Sequence, residues 1–167
     1  NLDGIRACEN AFTGVPNVAV FDTALHQTMP RSSYLFAIPT DLYRNEGIRK
    51  YGFHGTSHKF VSAATAEYLG RPLKELKLIT CHLGNGCSIT AIDGGKVVDT
   101  SMGLTPLAGL VMGTRCGDID PGVVLHLMKE GKSAEEIDTL LNKKSGLLGV
   151  ADIGSNDMRD MLSARAD

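Results

Sequence analysis

Three features of the sequence predict a mixed α/β fold made of a β-meander and several helices. Residues 76–100 carry three β-prone segments in a row, separated by glycine-rich turns. A short continuous apolar run, Val18-Ala19-Val20-Phe21, reads as a strand buried on both faces. Two later stretches open with helix-start signals, Asp120-Pro121 and Ser133-Ala134-Glu135-Glu136.

Taken in order, Leu2, Ile5, Cys8 and Phe12 recur at helical spacing, and Gly14 and Pro16 stop that helix. The run Val18–Phe21 ends at Asp22, and in open α/β sheets a polar residue at the carboxyl end of a strand sits where ligands bind. A carboxylate there equally suits a helix cap or a turn. Residues 23–53 are mixed, and Pro30 and Pro39 exclude a long element. From Thr56, the residues Phe60, Val61, Ala64 and Tyr68 share one helical face until Gly70-Arg71-Pro72. Leu76–His82, Ser88–Ile92 and Lys96–Thr100 then form the meander, turned at Gly84-Asn85-Gly86 and Asp93-Gly94-Gly95. Asp120 caps a helix with Pro121 at its first position, ahead of Val123, Val124, Leu127 and Met128. Ser133 and Glu136 form a capping box ahead of Ile137, Leu140 and Leu141, and a last helix starts near Ser155.

Composition excludes several classes of function. The 167 residues carry 17 Lys+Arg against 19 Asp+Glu, a formal charge of −2 with no basic cluster, so nucleic acid is not the expected partner. No run approaches the roughly 18 apolar residues of a membrane span, and no membrane partner is expected. The four cysteines form no C-x-x-C pair and there is no N-x-S/T sequon, which together point to reduced thiols and a cytoplasmic location. The chain starts without Met and stops within a helical pattern, so a piece of a longer protein is expected. Glycine is in excess, at 19 of 167, and nine of the 19 fall between Gly84 and Gly122. Such enrichment marks loops that bend sharply or bring bare backbone to a ligand.

Gly131-Lys132-Ser133 is not a phosphate loop, because His126 stands where the first glycine is required and a helix precedes it. His54 and His58 are four apart, but no Glu follows His54 and no full ligand set accompanies them, so no metal site is expected. Gly52-Phe53-His54-Gly55-Thr56-Ser57-His58 nevertheless pairs a flexible turn with hydroxyls at a helix start, a place for an anion or a positioned imidazole. His82-Leu83-Gly84-Asn85-Gly86-Cys87-Ser88 is either a routine hairpin or a loop presenting backbone N–H groups to phosphate. Met112 to Asp120 holds one arginine, Arg115, between Gly113 and Gly117, and arginine grips phosphoryl oxygens with paired hydrogen bonds.

Together these segments resemble the acetate kinase family, within the superfamily of actin-like, sugar-kinase and heat-shock ATPases. The resemblance is carried by residues 20–30, Tyr51 to His58, His82 to Gly86, Asp99 to Leu107, Met112 to Pro121, Ser145-Gly146-Leu147-Leu148-Gly149 and Asp157-Met158-Arg159. Leu25 departs from the pattern, where phenylalanine is frequent. The resemblance implies part of an actin-like (ribonuclease H-like) ATPase domain, with residues 1–23 ending a first domain and 24–167 forming most of a second, truncated at its C-terminus. It implies reversible phosphorylation of acetate by ATP, giving acetyl phosphate and ADP with Mg²⁺ or Mn²⁺, in a homodimer.

By the same resemblance Asp22, His54 and Arg115 match catalytic positions, with His54 and Arg115 as transition-state stabilisers. His82, Leu83, Gly84, Asn85 and Gly86 match a phosphate-contacting loop, and Asp157, Met158 and Arg159 a segment near the nucleotide. Phe53 and Pro106 match the pocket for the acyl methyl group. Because a carboxylate nucleophile, with a pKa near about 4, is already ionised, Asp22 is read as orienting substrate or holding Mg²⁺ through water, not as a general base. The family's earlier segment of phosphate and metal contacts, and its later adenosine loop and metal-binding Glu, have no counterpart here, so the fragment alone is expected to be inactive. The alternatives are a propionate or butyrate kinase, or a fragment that only binds nucleotide or dimerises. A dinucleotide-binding domain is rejected, since no G-x-G-x-x-G follows the first strand.

Overall fold

A computed structural model describes residues 1–165, so the last two residues of the expected second domain lie outside the described chain. Its helices are α1 (Leu2–Ala11), α2 (Arg31–Tyr34), α3 (Thr40–Glu46), α4 (Gly55–Tyr68), α5 (Pro121–Lys129), α6 (Ala134–Lys143), α7 (Gly146–Ala151) and α8 (Met158–Ala164). Between α4 and α5 run three strands, β1 (Lys77–Leu83), β2 (Cys87–Asp93) and β3 (Lys96–Thr100), paired antiparallel in the order β1-β2-β3. The meander expected from residues 76–100 is therefore present, with Thr80 opposite Thr90, Leu83 opposite Cys87, and Thr90 opposite Thr100.

Strand β2 sets the character of the interior. Its inward positions are Ser88, Thr90 and Ile92, alternating with half-buried ones as the two-residue period of a strand requires. At the Ile92 end the cluster is apolar: Met29, Ile92 and Val97, flanked by Leu25, Tyr34 and Leu78. At the Ser88 end it is polar, with His26, His58, Thr80, Ser88, Thr90 and Thr100 all buried. Helix α4 packs on β1, and the 3-10 turn Leu25–Thr28 packs on β3, closing this face. Thr28 Oγ1 accepts the Val97 N–H at 2.8 Å, tying that turn to the meander.

The helices foreseen from their caps are present. Asp120 Oδ1 accepts the Gly122 N–H at 2.8 Å, and Ser133 and Glu136 exchange hydrogen bonds as a capping box. Helix α8 begins at Met158, later than expected from Ser155, because Asp157 is the residue whose side chain caps it.

One element differs outright. Val18–Phe21 forms no strand, and Val18, Val20 and Phe21 are 82%, 75% and 69% exposed. A strand exists by pairing, and among the described residues no other segment lies alongside to take its backbone groups. Helix α1 likewise buries none of its residues, so its apolar stripe is unpartnered. Residues 101–120 contain no helix or strand and are held instead by backbone bonds. Tyr51 N–H donates to the Gly103 carbonyl at 3.0 Å, Gly109 N–H to Asp118 Oδ1 at 2.7 Å, and Asp118 N–H back to Gly109 at 2.9 Å. Met102 and Met112 anchor this loop as fully buried side chains.

Candidate functional site

His54 stands at the N-cap of α4 in a left-handed conformation, φ 59°, that a bulky residue adopts only when its surroundings hold it. Asp22 supplies that hold. Its Oδ2 accepts the His54 N–H at 2.6 Å, and its carbonyl accepts the Gly55 N–H at 2.8 Å. The apolar run before Asp22 is not a strand, but Asp22 still reaches the site, clasping the turn that presents the imidazole. One face of that imidazole stacks on His82, ring centres 4.0 Å apart, and His82 Nδ1 lies 2.9 Å from Ser57 Oγ. Burial lowers the His54 pKa below its ordinary value; the neighbouring His82 and Arg115 act in the same direction and Asp22 opposes them.

Arg115 comes from the loop 101–120. Its Nη1 donates to the Pro106 carbonyl at 3.0 Å and lies 3.8 Å from Met112 Sδ. The backbone beneath it is closed by α7: Leu147 N–H donates to Met112 at 2.8 Å, Leu148 N–H to Gly113 at 3.0 Å, and Ser145 N–H to Thr114 at 3.1 Å. The segment Ser145–Gly149 thus acts as the seat of the arginine loop.

The turn Gly84-Asn85-Gly86 links these parts. The Gly113 N–H donates to the Asn85 carbonyl at 3.3 Å, and Asn156 Nδ2 donates to Asn85 Oδ1 at 3.3 Å. The N–H groups of Asn85 and Gly86 donate to no protein group among the described residues. Glycine at 86 also keeps a gap open: a methyl carbon there would lie 3.3 Å from Arg115 Nη1 and 3.5 Å from both His54 Nε2 and Cε1. One small volume is therefore shared by a guanidinium and an imidazole nitrogen, on a turn whose own backbone N–H groups are free, a donor set suited to anionic oxygens.

Beside it opens a cleft of about 670 Å³, lined by Gly84, Asn85, Gly113, Asn156, Asp157 and Met158 among others. Asp157 caps α8 and pairs with Arg159 at 2.5 Å, and the Arg159 hydrogen bond holds the Asp157 carboxyl down at about 2. Asp157 and Met158 thus face the cleft while the Arg159 guanidinium is engaged by Asp157. Phe53 is half-buried next to His54, and Pro106 is exposed, touching Arg115 through its carbonyl.

The residues singled out in the sequence come from five separate segments: Asp22, the His54 turn, the Gly84–Gly86 turn, the arginine loop and the start of α8. Asn156 reads in the sequence as an ordinary residue before a cap, and the inward place of Ser88 on β2 emerges only with the strand's register. Among the described residues no three His, Cys, Asp or Glu side chains converge as a metal-binding group.

Residues 1–167 match the family described as the acetokinase family. The chain is 61% identical to the acetate kinase of Halothermothrix orenii over 168 residues, covering 100% of this chain and 42% of that protein. The crystal structure of Porphyromonas gingivalis acetate kinase superposes with a TM-score of 0.92 at 51% identity, covering 98% of this chain and 41% of that one. A propionate kinase from Francisella tularensis gives 0.92 at 53% identity, covering 99% and 43%. The chain spans about two fifths of the length of each of these proteins.

Proposed function

The chain belongs to the acetokinase family, and from that premise we propose that the full-length protein transfers a phosphoryl group between ATP and acetate, giving acetyl phosphate and ADP reversibly. The observation that carries this reading is the convergence of Arg115 Nη1 and His54 Nε2 on the gap beside Gly86. In-line transfer asks little covalent chemistry of a protein; it needs alignment and neutralisation of the charge spread over the equatorial oxygens. Arg115 supplies fixed positive charge in a paired-donor fork, and the Pro106 carbonyl keeps that fork oriented. His54 supplies a hydrogen bond to the same oxygens. The free N–H groups of Asn85 and Gly86 take the phosphate that remains on the nucleotide, and Asp157 and Met158 border the cleft in which the nucleotide lies.

The acetate carboxylate is ionised at neutral pH and attacks without a base. Asp22 accordingly holds the His54 turn with Oδ2, and its other oxygen would help hold a divalent ion. One carboxylate plus phosphate oxygens and waters is a common Mg²⁺ donor set, so this residue fits the role. When bound, the ion neutralises the β- and γ-phosphate oxygens.

Residues 1–23 are proposed as the end of a first actin-like domain and 24–167 as most of the second, in a cytoplasmic homodimer. Val18, Val20 and Phe21, exposed here, then meet the remainder of that first domain. On this reading the fragment alone has negligible kinase activity. Propionate is the second reading, favoured by the Francisella tularensis structure, since one methylene in an apolar pocket is worth only about 1–3 kcal/mol. Assay of the full-length protein with acetate, propionate and butyrate tests both. The expected result is the highest kcat/KM for acetate; a protein that phosphorylates none of the three overturns the reading.

A further inference from the structure

We propose that Ser88 and His58 are positioning residues that hold His54 in the tautomer bearing its proton on Nε2. The proposal rests on the reading of His54 as a donor to the transferring group. Its basis is a line of four side chains running inward from the site. Ser88 Oγ lies 2.8 Å from His54 Nδ1 and 2.7 Å from His58 Nε2, and His58 Nδ1 lies 2.8 Å from Thr80 Oγ1. Ser88 is 0% and His58 1% exposed, so these bonds form away from solvent. The four-residue spacing of His54 and His58, which resembles a metal pair in the sequence, instead brings both rings onto one hydroxyl.

A serine or threonine hydroxyl carries one proton and a neutral imidazole carries one. The line therefore has two self-consistent directions. In the first, Thr80 O–H donates to His58 Nδ1, His58 Nε2–H donates to Ser88 Oγ, and Ser88 O–H donates to His54 Nδ1. The His54 proton then sits on Nε2, the atom facing the gap beside Gly86. In the second direction every bond is reversed, the Thr80 hydroxyl turns to the Thr90 carbonyl, and His54 Nε2 is left as a bare acceptor.

Two observations select the first direction. The Thr90 carbonyl lies 3.4 Å from Thr80 Oγ1, at the outer limit of hydrogen bonding, whereas His58 Nδ1 lies at 2.8 Å. Nε2 also shares its gap with the Arg115 guanidinium, so the guest there is an anion. A bare nitrogen lone pair repels such a guest, and an N–H binds it. Ser88 further blocks a ring flip, because a flipped imidazole would set a carbon against its oxygen. His82, stacked on the ring, holds its plane.

The test is nitrogen NMR of the full-length protein labelled with ¹⁵N-histidine, with steady-state kinetics on the same samples. The expected spectrum of the unmodified protein shows a protonated Nε2 and a bare Nδ1 for His54. Ser88→Ala should move both signals toward a tautomer mixture and lower kcat by about 10–100-fold, the usual scale for partners that orient a working histidine, with KM nearly unchanged. His58→Gln, which keeps a donor to Ser88, should preserve the His54 signals and most of kcat; His58→Leu should not. Protonation of Nδ1 in the unmodified protein, or nitrogen signals unmoved by Ser88→Ala, overturns the proposal. A Ser88→Ala protein that does not fold leaves the unmodified spectrum to decide. Full kcat in His54→Ala would instead overturn the role given to His54 in catalysis, and the nitrogen signals would still decide its tautomer.

Discussion

Replacing Gly146 by alanine places a methyl group onto the Met112 carbonyl oxygen, 2.7 Å from the Arg115 carbonyl and 3.0 Å from the Arg115 nitrogen. These are backbone atoms, so no side-chain rotation relieves the contact. Gly146 also has φ +63°, a conformation that costs an L-residue about 1–2 kcal/mol. Gly131 is the matched control: its φ is +89° and an added methyl would have nothing within 4 Å. Gly131→Ala therefore carries the conformational cost alone, partly offset by a stiffer unfolded chain, for a net loss of about 1 kcal/mol. Gly146→Ala adds the displacement of backbone, about 1–3 kcal/mol as in overpacked cores, for a total of about 2–4 kcal/mol. The displaced backbone is that of the arginine loop, and a misplacement on the order of 1 Å can cost about 100-fold in rate. Urea unfolding and kcat for acetyl phosphate formation, both on the full-length protein, measure the two effects. Gly146→Ala within 0.5 kcal/mol of Gly131→Ala (roughly the additivity error of such comparisons), with undiminished kcat, refutes the argument that α7 seats Arg115.

Arg115→Lys should lower kcat by at least about 100-fold while leaving the urea midpoint nearly unchanged, since an ammonium cannot hold the Pro106 carbonyl and two phosphoryl oxygens in one plane; kinetics within tenfold of the parent would contradict it. Stability should fall as pH drops from about 6.5 toward 4, because burial pushes both His26 and His58 down to about 4 and the unfolded chain takes up protons that the folded one refuses. The loss expected at pH 5 is about 1–2 kcal/mol per histidine, read as a lower urea midpoint than at pH 7.5; Asp157, depressed to about 2, loses its own contribution only below that window. Ser133→Ala removes the capping box of α6 and should cost about 1 kcal/mol of stability without changing kcat, and a drop in kcat would show that α6 is coupled to the site.

The elements legible in the sequence are those whose signal is local. The meander carries its turns as Gly84-Asn85-Gly86 and Asp93-Gly94-Gly95, and α5 and α6 carry their caps as Asp120 and Ser133. Val18–Phe21 reads as a strand because its apolar run reports a preference for burial, but a strand also needs a neighbour to pair with, and no residue within the run encodes that neighbour. The short helices α2, α3 and α7 carry too few residues for periodicity to register. In the site, Arg115 and the Gly84–Gly86 turn stand out as motifs, whereas Ser88 depends on strand register and Asn156 on a contact 71 residues away in the chain.

The glycine excess between Gly84 and Gly122 divides by what a side chain would strike. At Gly86 the atoms nearest an added methyl are the ends of Arg115 and His54, so glycine there leaves room for a guest that those two groups can bind. At Gly113 it meets Asn85 Oδ1 at 2.5 Å and Asn156 Nδ2 at 2.8 Å, so glycine lets the amide pair that joins turn to cleft close over the loop. Gly146, outside that window, excludes a methyl by backbone contact. Three glycines thus serve the guest, the joint and the seat, and the same substitution at each should fail differently: Gly86→Ala in substrate affinity, Gly113→Ala in nucleotide affinity, and Gly146→Ala in stability as well as kcat. Loss of stability at all three alike would mean that the glycines serve the fold alone.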